Sequence, residues 1–236
     1  MSNWPATSFL ATLGVGQRSD LLGRGAERRL SRGRTLMNQG EAGESVALLL
    51  DGAVKISALT ADGHEALLGL RSAGDLLGEM AFITRGPRTA RVVAATDIVV
   101  RVLPEREFAA FLEQWPGAAA KVTATVVHKL RTANERRAEF QSCTAAQRVV
   151  IILSDTMARF GHEIPAGLSI GPEITQADLA SLATVSVSTI EKVLQTLERD
   201  GLVERHRRAL IVTDPPALRG RVGSGAANPY RAGSRA

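Results

Sequence analysis

The chain has 236 residues, enough for two small domains each with its own core. With 44% hydrophobic and 4% aromatic residues it reads as a folded protein that stays in water, and no apolar run approaches the roughly 20 residues of a membrane span. A net charge of +5 and a pI near 10.1 favour an anionic partner, while the single Cys143 excludes internal disulfides and multi-cysteine metal sites.

Residues 1–19 read as an irregular N-terminal segment. They lack a basic stretch followed by an apolar one, so no signal peptide is expected and the expected compartment is the cytoplasm. Asp20 to Leu30 reads as a short helix. From Arg32 to about Val102 short apolar runs alternate with glycine-marked turns. Val46–Leu50, Val54–Leu59, Ala66–Leu70, Arg91–Ala95 and Val99–Leu103 are strand-like. Many short strands punctuated by glycine predict an antiparallel barrel or jelly roll over residues 20–115.

Inside this region Gly78-Glu79-Met80-Ala81 is followed by Pro87-Arg88-Thr89-Ala90. Arg88 can donate a forked, charge-assisted pair of hydrogen bonds to a phosphodiester, and Thr89 can add a hydroxyl. Backbone N–H groups near Gly78 and Met80 can assist, and Glu79 can accept from a ribose hydroxyl. A Glu–Arg pair at this spacing is in isolation more often a surface salt bridge; the barrel setting raises the ligand reading.

Pro104–Leu112 reads as helical, and a long helix is expected over 116–142 with Pro116 at its first position. Val122, Val126, Leu130, Ala133, Arg137 and Phe140 recur at spacings of three and four. A stripe of that length suits a dimer seam, the alternative being packing on its own barrel. The flanking charges Lys129, Arg131, Glu135, Arg136 and Glu139 fit a solvated face. A further helix is expected from Thr144 to Phe160, with Val149, Ile152, Leu153 and Met157 inward.

Residues 143–214 end in the most informative pattern. Thr175 is a suitable N-cap, with Asp178 completing a capping-box-like pair. Leu179, Leu182, Ala180 and Ala183 then suit a close helix crossing that stops near Thr184. Ser186 or Ser188 caps a second helix, whose apolar face is Ile190, Val193, Leu194 and Leu197 and whose terminator is Gly201. Leu202–Arg205 and Ala209–Val212 read as two strands around His206-Arg207-Arg208. Two short helices followed by a basic hairpin form the pattern of a winged helix-turn-helix, with an ordinary αα-hairpin as the bland alternative. The tail from about Pro215 to 236 reads as disordered.

Taken together, Gly-Glu-Met-Ala with Pro-Arg-Thr-Ala, the long helix and the helix-turn-helix make the chain resemble the Crp/Fnr transcription regulators over roughly residues 20–213. The resemblance implies an α+β chain: a cyclic-nucleotide-binding β-roll, a dimerisation helix and a C-terminal winged helix. It implies a cyclic nucleotide, cAMP or cGMP, as effector rather than as required cofactor, bound by Gly78, Glu79, Met80, Arg88, Thr89 and Asn134. It implies double-stranded DNA as partner, met by Thr175, Gln176, Ser186, Val187, Ser188, Thr189, Lys192, Arg207 and Arg208. A homodimer through 116–142, a near-palindromic operator and contact with RNA polymerase follow from the same likeness; neither an enzyme nor a metal site is expected.

Two positions depart from the family pattern. A Thr-Ser pair that reaches adenine in cAMP-responsive members is replaced by Ala133 and Asn134. The Ser-Arg-Glu-Thr of many recognition helices is Ser186-Val187-Ser188-Thr189, with Lys192 at the later basic position. An operator unlike the usual TGTGA-type half-site, or weaker specificity, is therefore expected. Alternatives are a DNA-binding regulator that ignores nucleotides or answers to another small anion, and a scaffolding module whose helix-turn-helix binds protein.

Overall fold

The computed structural model describes residues 4–171, 173–206 and 209–221. The chain divides into two compact units, Met1–Ala133 and Asn134–Ala236.

In the first unit, helices α1 (Phe9–Thr12) and α2 (Val15–Gly23) precede strands β1 (Ala26–Leu30), β2 (Thr35–Met37), β3 (Ser45–Asp51), β4 (Ala53–Leu59), β5 (Glu65–Ser72) and β6 (Leu76–Leu77). Then come α3 (Glu79–Thr84), β7 (Arg91–Ala94), β8 (Ile98–Pro104), α4 (Glu105–Gln114) and the start of α5 (Pro116–Ser142). The strands form two four-stranded antiparallel sheets, β1-β8-β3-β6 and β2-β7-β4-β5.

Strand β3 shows why the layers stack this way. Its run Val46-Ala47-Leu48-Leu49 is apolar at successive positions, so both of its faces are buried. Ala47 and Leu49 face the core between the sheets, with Met37, Val54, Leu77, Val92, Ala94, Ile98 and Val100. Val46 and Leu48 face a second core, where Phe9, Leu10, Leu21, Phe108, Phe111, Ala118 and Val122 cover the sheet.

That second core corrects the reading of the N-terminus. The segment expected to be irregular contains α1 and the start of α2, and Phe9, Leu10, Leu13 and Leu21 are all buried. The helix expected over Asp20–Leu30 ends at Gly23, and Ala26–Leu30 pairs with β8 as an edge strand. Burial decided against local propensity: apolar residues at 9, 10, 13 and 21 are spaced for a helical cover on the barrel. The short strands β2 and β6 lie outside the expected set as well.

The second unit holds the remainder of α5, then α6 (Ala145–Phe160), β9 (His162–Ile164), β10 (Gly167–Ile170), α7 (Gln176–Ala183), α8 (Val187–Arg199), β11 (Val203–His206), β12 (Ala209–Val212) and α9 (Pro215–Gly220). Helix α6 is its hub: residues 149–154 together with Thr156 and Met157 are buried. It packs against α7, α8, β10 and α9. The wing is larger than the expected hairpin, because β9 and β10 extend it to a sheet ordered β11-β12-β10-β9. Residues 215–220, expected to begin a disordered tail, form α9; Asp214 caps it and Leu218 is fully buried on the unit. One buried leucine in a short helix that opens on two prolines carries no periodicity, which is why the sequence did not show it. The rest of that expected tail, residues 222–236, lies outside the described residues.

Helix α5 spans 27 residues, from Pro116 to Ser142, as the stripe predicted, but the stripe is not uniformly covered. Within it, Val122 enters the barrel's core whereas Leu130 is 59% exposed; beside it, Ala118 is buried and Val127 is 56% exposed.

Candidate functional site

The cassette in the first unit begins at Gly78, which stands at φ +81° and caps α3. A β-carbon there would lie 2.4 Å from Nη1 of Arg88, so only glycine allows the guanidinium this close. Arg88 is held from its own backbone as well. Its N–H donates to Glu41 O at 2.8 Å, and its carbonyl accepts from Gly40 N at 2.9 Å.

The Arg88 side chain is 6% exposed. Nη1 donates to Gly78 O at 3.2 Å, and Nη2 donates to Ser45 O at 2.7 Å and Ser45 Oγ at 3.2 Å. A guanidinium carries five N–H donors. Among the described residues those it uses here all go to neutral oxygens. Burial pulls the Arg88 pKa below its ordinary value, and the charges of Glu41, Glu79 and Glu44 pull it back up. The arrangement is a desolvated cation without a contacting carboxylate, which an anion would complete.

Glu79, the first residue of α3, is 4% exposed. Lys129 of α5 donates from Nζ to Glu79 Oε1 at 2.8 Å and to Leu76 O at 3.0 Å. The Glu79 side chain is 5% exposed and that of Lys129 13%, so the ion pair joins a buried carboxylate to a half-buried ammonium. Lys129 was expected on a solvated face. It lies seven residues after Val122, on the helical face that enters the barrel core; that spacing was the signal that could have found it. Ser45 was missed too, because it bonds Arg88 largely through its backbone.

Met80 and Thr89 sit at the rim, exposed, with Thr89 Oγ1 3.9 Å from Met80 Sδ. Gly78, Glu79, Met80, Arg88 and Thr89 are thus brought together. Asn134 is exposed on α5 and belongs to the second unit, so it stands apart from this description. Glu41, near Arg88, has its carboxylate held below the usual range by hydrogen bonds from the Asn38 side chain and backbone N–H. Among the described residues no cluster of His, Cys, Asp and Glu could hold a metal ion, and no helix is long and apolar enough to cross a membrane.

In the second unit the helix-turn-helix is built as its caps predict. Asp178 N donates to Thr175 Oγ1 at 3.2 Å, and Thr175 N donates to Asp178 Oδ2 at 2.7 Å, which closes a capping box. Leu179, Ala180, Leu182 and Ala183 are buried against their neighbours. The turn follows at Thr184, which adopts φ 53° and ψ 52° and lets Val185 N reach Ala180 O at 3.0 Å. Ser186 caps α8 by accepting from Thr189 N at 3.2 Å. Ile190, Leu194 and Leu197 turn inward, and Gly201, at φ +70°, stands one residue past the observed cap, Asp200.

This leaves one outward face. Ser186, Val187, Ser188 and Lys192 are exposed at the start of α8, Thr189 is half-buried, and Thr175 and Gln176 are exposed at the start of α7. Arg205 of β11 pairs with Glu198 of α8 at 2.6 Å, which ties the wing to the helix and holds the Glu198 carboxyl below its usual range. Arg207 and Arg208, expected at the wing tip, lie outside the described residues. A capped helix that projects short polar side chains and a lysine fits the dimensions of a DNA major groove.

Both sites correspond to known domains. Residues 27–114 match the model of the cyclic nucleotide-binding domain, and residues 147–221 match the Crp-like helix-turn-helix domain. The chain is 25% identical over 187 residues to the CRP-like cAMP-activated global transcriptional regulator of Mycobacterium tuberculosis, covering 79% of this chain and 84% of that protein. It is 28% identical over 180 residues to the cyclic AMP receptor protein of Thermus thermophilus, covering 75% and 79%. Two solved structures share the fold. A CRP-family transcriptional regulator, also of Thermus thermophilus, aligns with a TM-score of 0.70 at 24% identity, over 84% of this chain and 97% of that one. The c-di-GMP responsive global regulator of Xanthomonas campestris aligns at 0.74 and 18%, over 85% and 100%. With a cyclic nucleotide-binding β-roll, a long helix and a Crp-like helix-turn-helix in one chain, the protein belongs to the Crp/Fnr family of DNA-binding transcription regulators, which are not enzymes.

Proposed function

We propose that the protein is a homodimeric, sequence-specific regulator whose DNA binding is gated by a cyclic nucleotide in the β-roll. The observation that carries the effector half is Arg88: a buried guanidinium whose hydrogen-bond acceptors among the described residues are all neutral. A cyclic phosphate supplies a directly bonded anionic acceptor, with Thr89 at the rim adding a hydroxyl. The relatives named cAMP-activated support cAMP as the first ligand to test.

The exposed Val127 and Leu130 on α5 support dimerisation, since a second copy would cover them. Two recognition helices then meet successive major grooves about 34–36 Å apart, on a near-palindromic operator. Gln176 and Thr175 hold the phosphate backbone, while Ser186, Val187, Ser188, Thr189 and Lys192 face base edges. Contact with RNA polymerase completes the regulatory role. Because α5 runs through both compact units, it is the element through which the effector acts, with a coupling of about 1–3 kcal/mol.

Titration calorimetry with cAMP and cGMP, together with sedimentation of the same samples, tests this reading. Saturable binding by a dimer is the expected result. No heat at millimolar nucleotide would leave a nucleotide-independent regulator, or one that takes another anion.

A further inference from the structure

The leading turn of α8 carries Val187, Ser188 and Thr189 behind the Ser186 cap. Its hydroxyls are tied to one another. Ser186 Oγ accepts from Thr189 N at 3.2 Å and shares hydrogen bonds of 2.9 Å with Ser188 Oγ and with Thr189 Oγ1. A hydroxyl rotates to donate or to accept, so Ser188 satisfies whichever base edge it meets and distinguishes little. Val187 is different. It is 43% exposed at the first position of the helix, and its two methyl groups neither donate nor accept. The N-terminal residues of a recognition helix are the ones that meet base edges. In the major groove thymine alone presents an apolar group, its C5-methyl. Against adenine, guanine or cytosine, valine would strip water from a polar edge and return no hydrogen bond.

We propose that Val187 selects thymine: its methyl groups pack on a thymine C5-methyl, so each half-site carries an A·T pair under the start of α8 that is read through that one group. This deepens the reading of α8 as the helix that enters the major groove, and rests on it. What Val187 recognises is the methyl and not the hydrogen-bonding edge. A cytosine methylated at C5 therefore recovers part of what an unmethylated cytosine loses at the same place.

The test uses the full-length protein and the site it selects from random DNA, with and without cAMP and cGMP. Each thymine of one half-site is replaced in turn by deoxyuridine, which removes only the methyl, and affinity is read by anisotropy titration. One thymine is expected at which the change weakens binding about fourfold, the share of one buried methyl. At that position 5-methyldeoxycytidine should bind about fourfold tighter than deoxycytidine. Val187→Ser alters an exposed side chain and leaves the Ser186 cap in place, and in this variant thymidine and deoxyuridine should bind alike there. A selected site with no methyl-dependent thymine overturns the proposal while the reading of α8 stands. So does a methyl dependence that survives unchanged in Val187→Ser, or equal binding of methylated and unmethylated cytosine. If no sequence is enriched under any condition, the reading of α8 falls and takes this inference with it.

Discussion

Replacing Gly78 by alanine tests how tightly the cassette is built. The residue stands at φ +81° and ψ 5°, and an alanine there pays for the left-handed backbone and for its own β-carbon. That β-carbon would lie 2.4 Å from Arg88 Nη1 and 3.2 Å from both Sδ and Cε of Met37. The guanidinium must withdraw, which breaks its bond to Gly78 O. The backbone term is about 1 kcal/mol net of the entropy lost by the unfolded chain, and a charge-assisted hydrogen bond adds about 1.5–3 kcal/mol. Gly63 gives the matching control: it has the same φ of +81°, in the turn between β4 and β5, and a β-carbon there meets nothing within 4 Å. Thermal unfolding followed by circular dichroism should lower Tm by about 3 °C for Gly63→Ala and about 10 °C for Gly78→Ala, at roughly 2–4 °C per kcal/mol for a chain of this size. Equal losses for the two variants would refute the claim that Arg88 is pinned against Gly78.

Thr184 is a β-branched residue in the left-handed region at the helix-turn-helix corner, so Thr184→Gly should stabilise the second unit by about 0.5–1 kcal/mol in urea unfolding. The Asp20 carboxyl is held below its usual pKa by its hydrogen bond from Arg24, then by Trp115 and the Arg24 charge, against the opposing effect of burial. A carboxylate so depressed stabilises the fold above its unfolded pKa and loses that contribution as pH falls through the folded value. Acid titration of stability should therefore show a loss below about pH 4 that Asp20→Asn removes, on the order of 0.5 kcal/mol for a partly solvated pair. Val187→Arg places a forked donor where α8 is exposed, and selection from random DNA should then show a new guanine preference worth about 1–3 kcal/mol.

Much of this fold was written in local signals. The Thr175–Asp178 and Ser186 caps, the apolar face of α8 and the glycine-punctuated strands each follow from the order of residues, and the structure contains those elements. What was not legible depended on partners distant in sequence. Helices α1 and α2 exist because Phe9, Leu10, Leu13 and Leu21 cover a sheet whose strands come later in the chain. Strand β6 is two residues long and has identity only through its pairing with β3. The same holds at the site. Arg88 and Gly78 could be grouped from their motifs, but Lys129 is 50 residues from Glu79, and the helical periodicity that places it on the barrel's side competed with its charge. A lysine on a long helix is ordinarily solvated; the buried carboxylate opposite draws this one half out of solvent.

The central claim is that a ligand at the β-roll governs DNA reading by the second unit. The most direct measurement is selection of bound fragments from random DNA, run in parallel with and without cAMP and cGMP, followed by anisotropy titration of the selected site. A near-palindromic site that is not TGTGA-type is expected, with affinity raised by about five- to 150-fold when the effector is present. Recovery of the TGTGA half-site would contradict the role given to Val187 and Ser188, and equal affinity with and without nucleotide would contradict the gating.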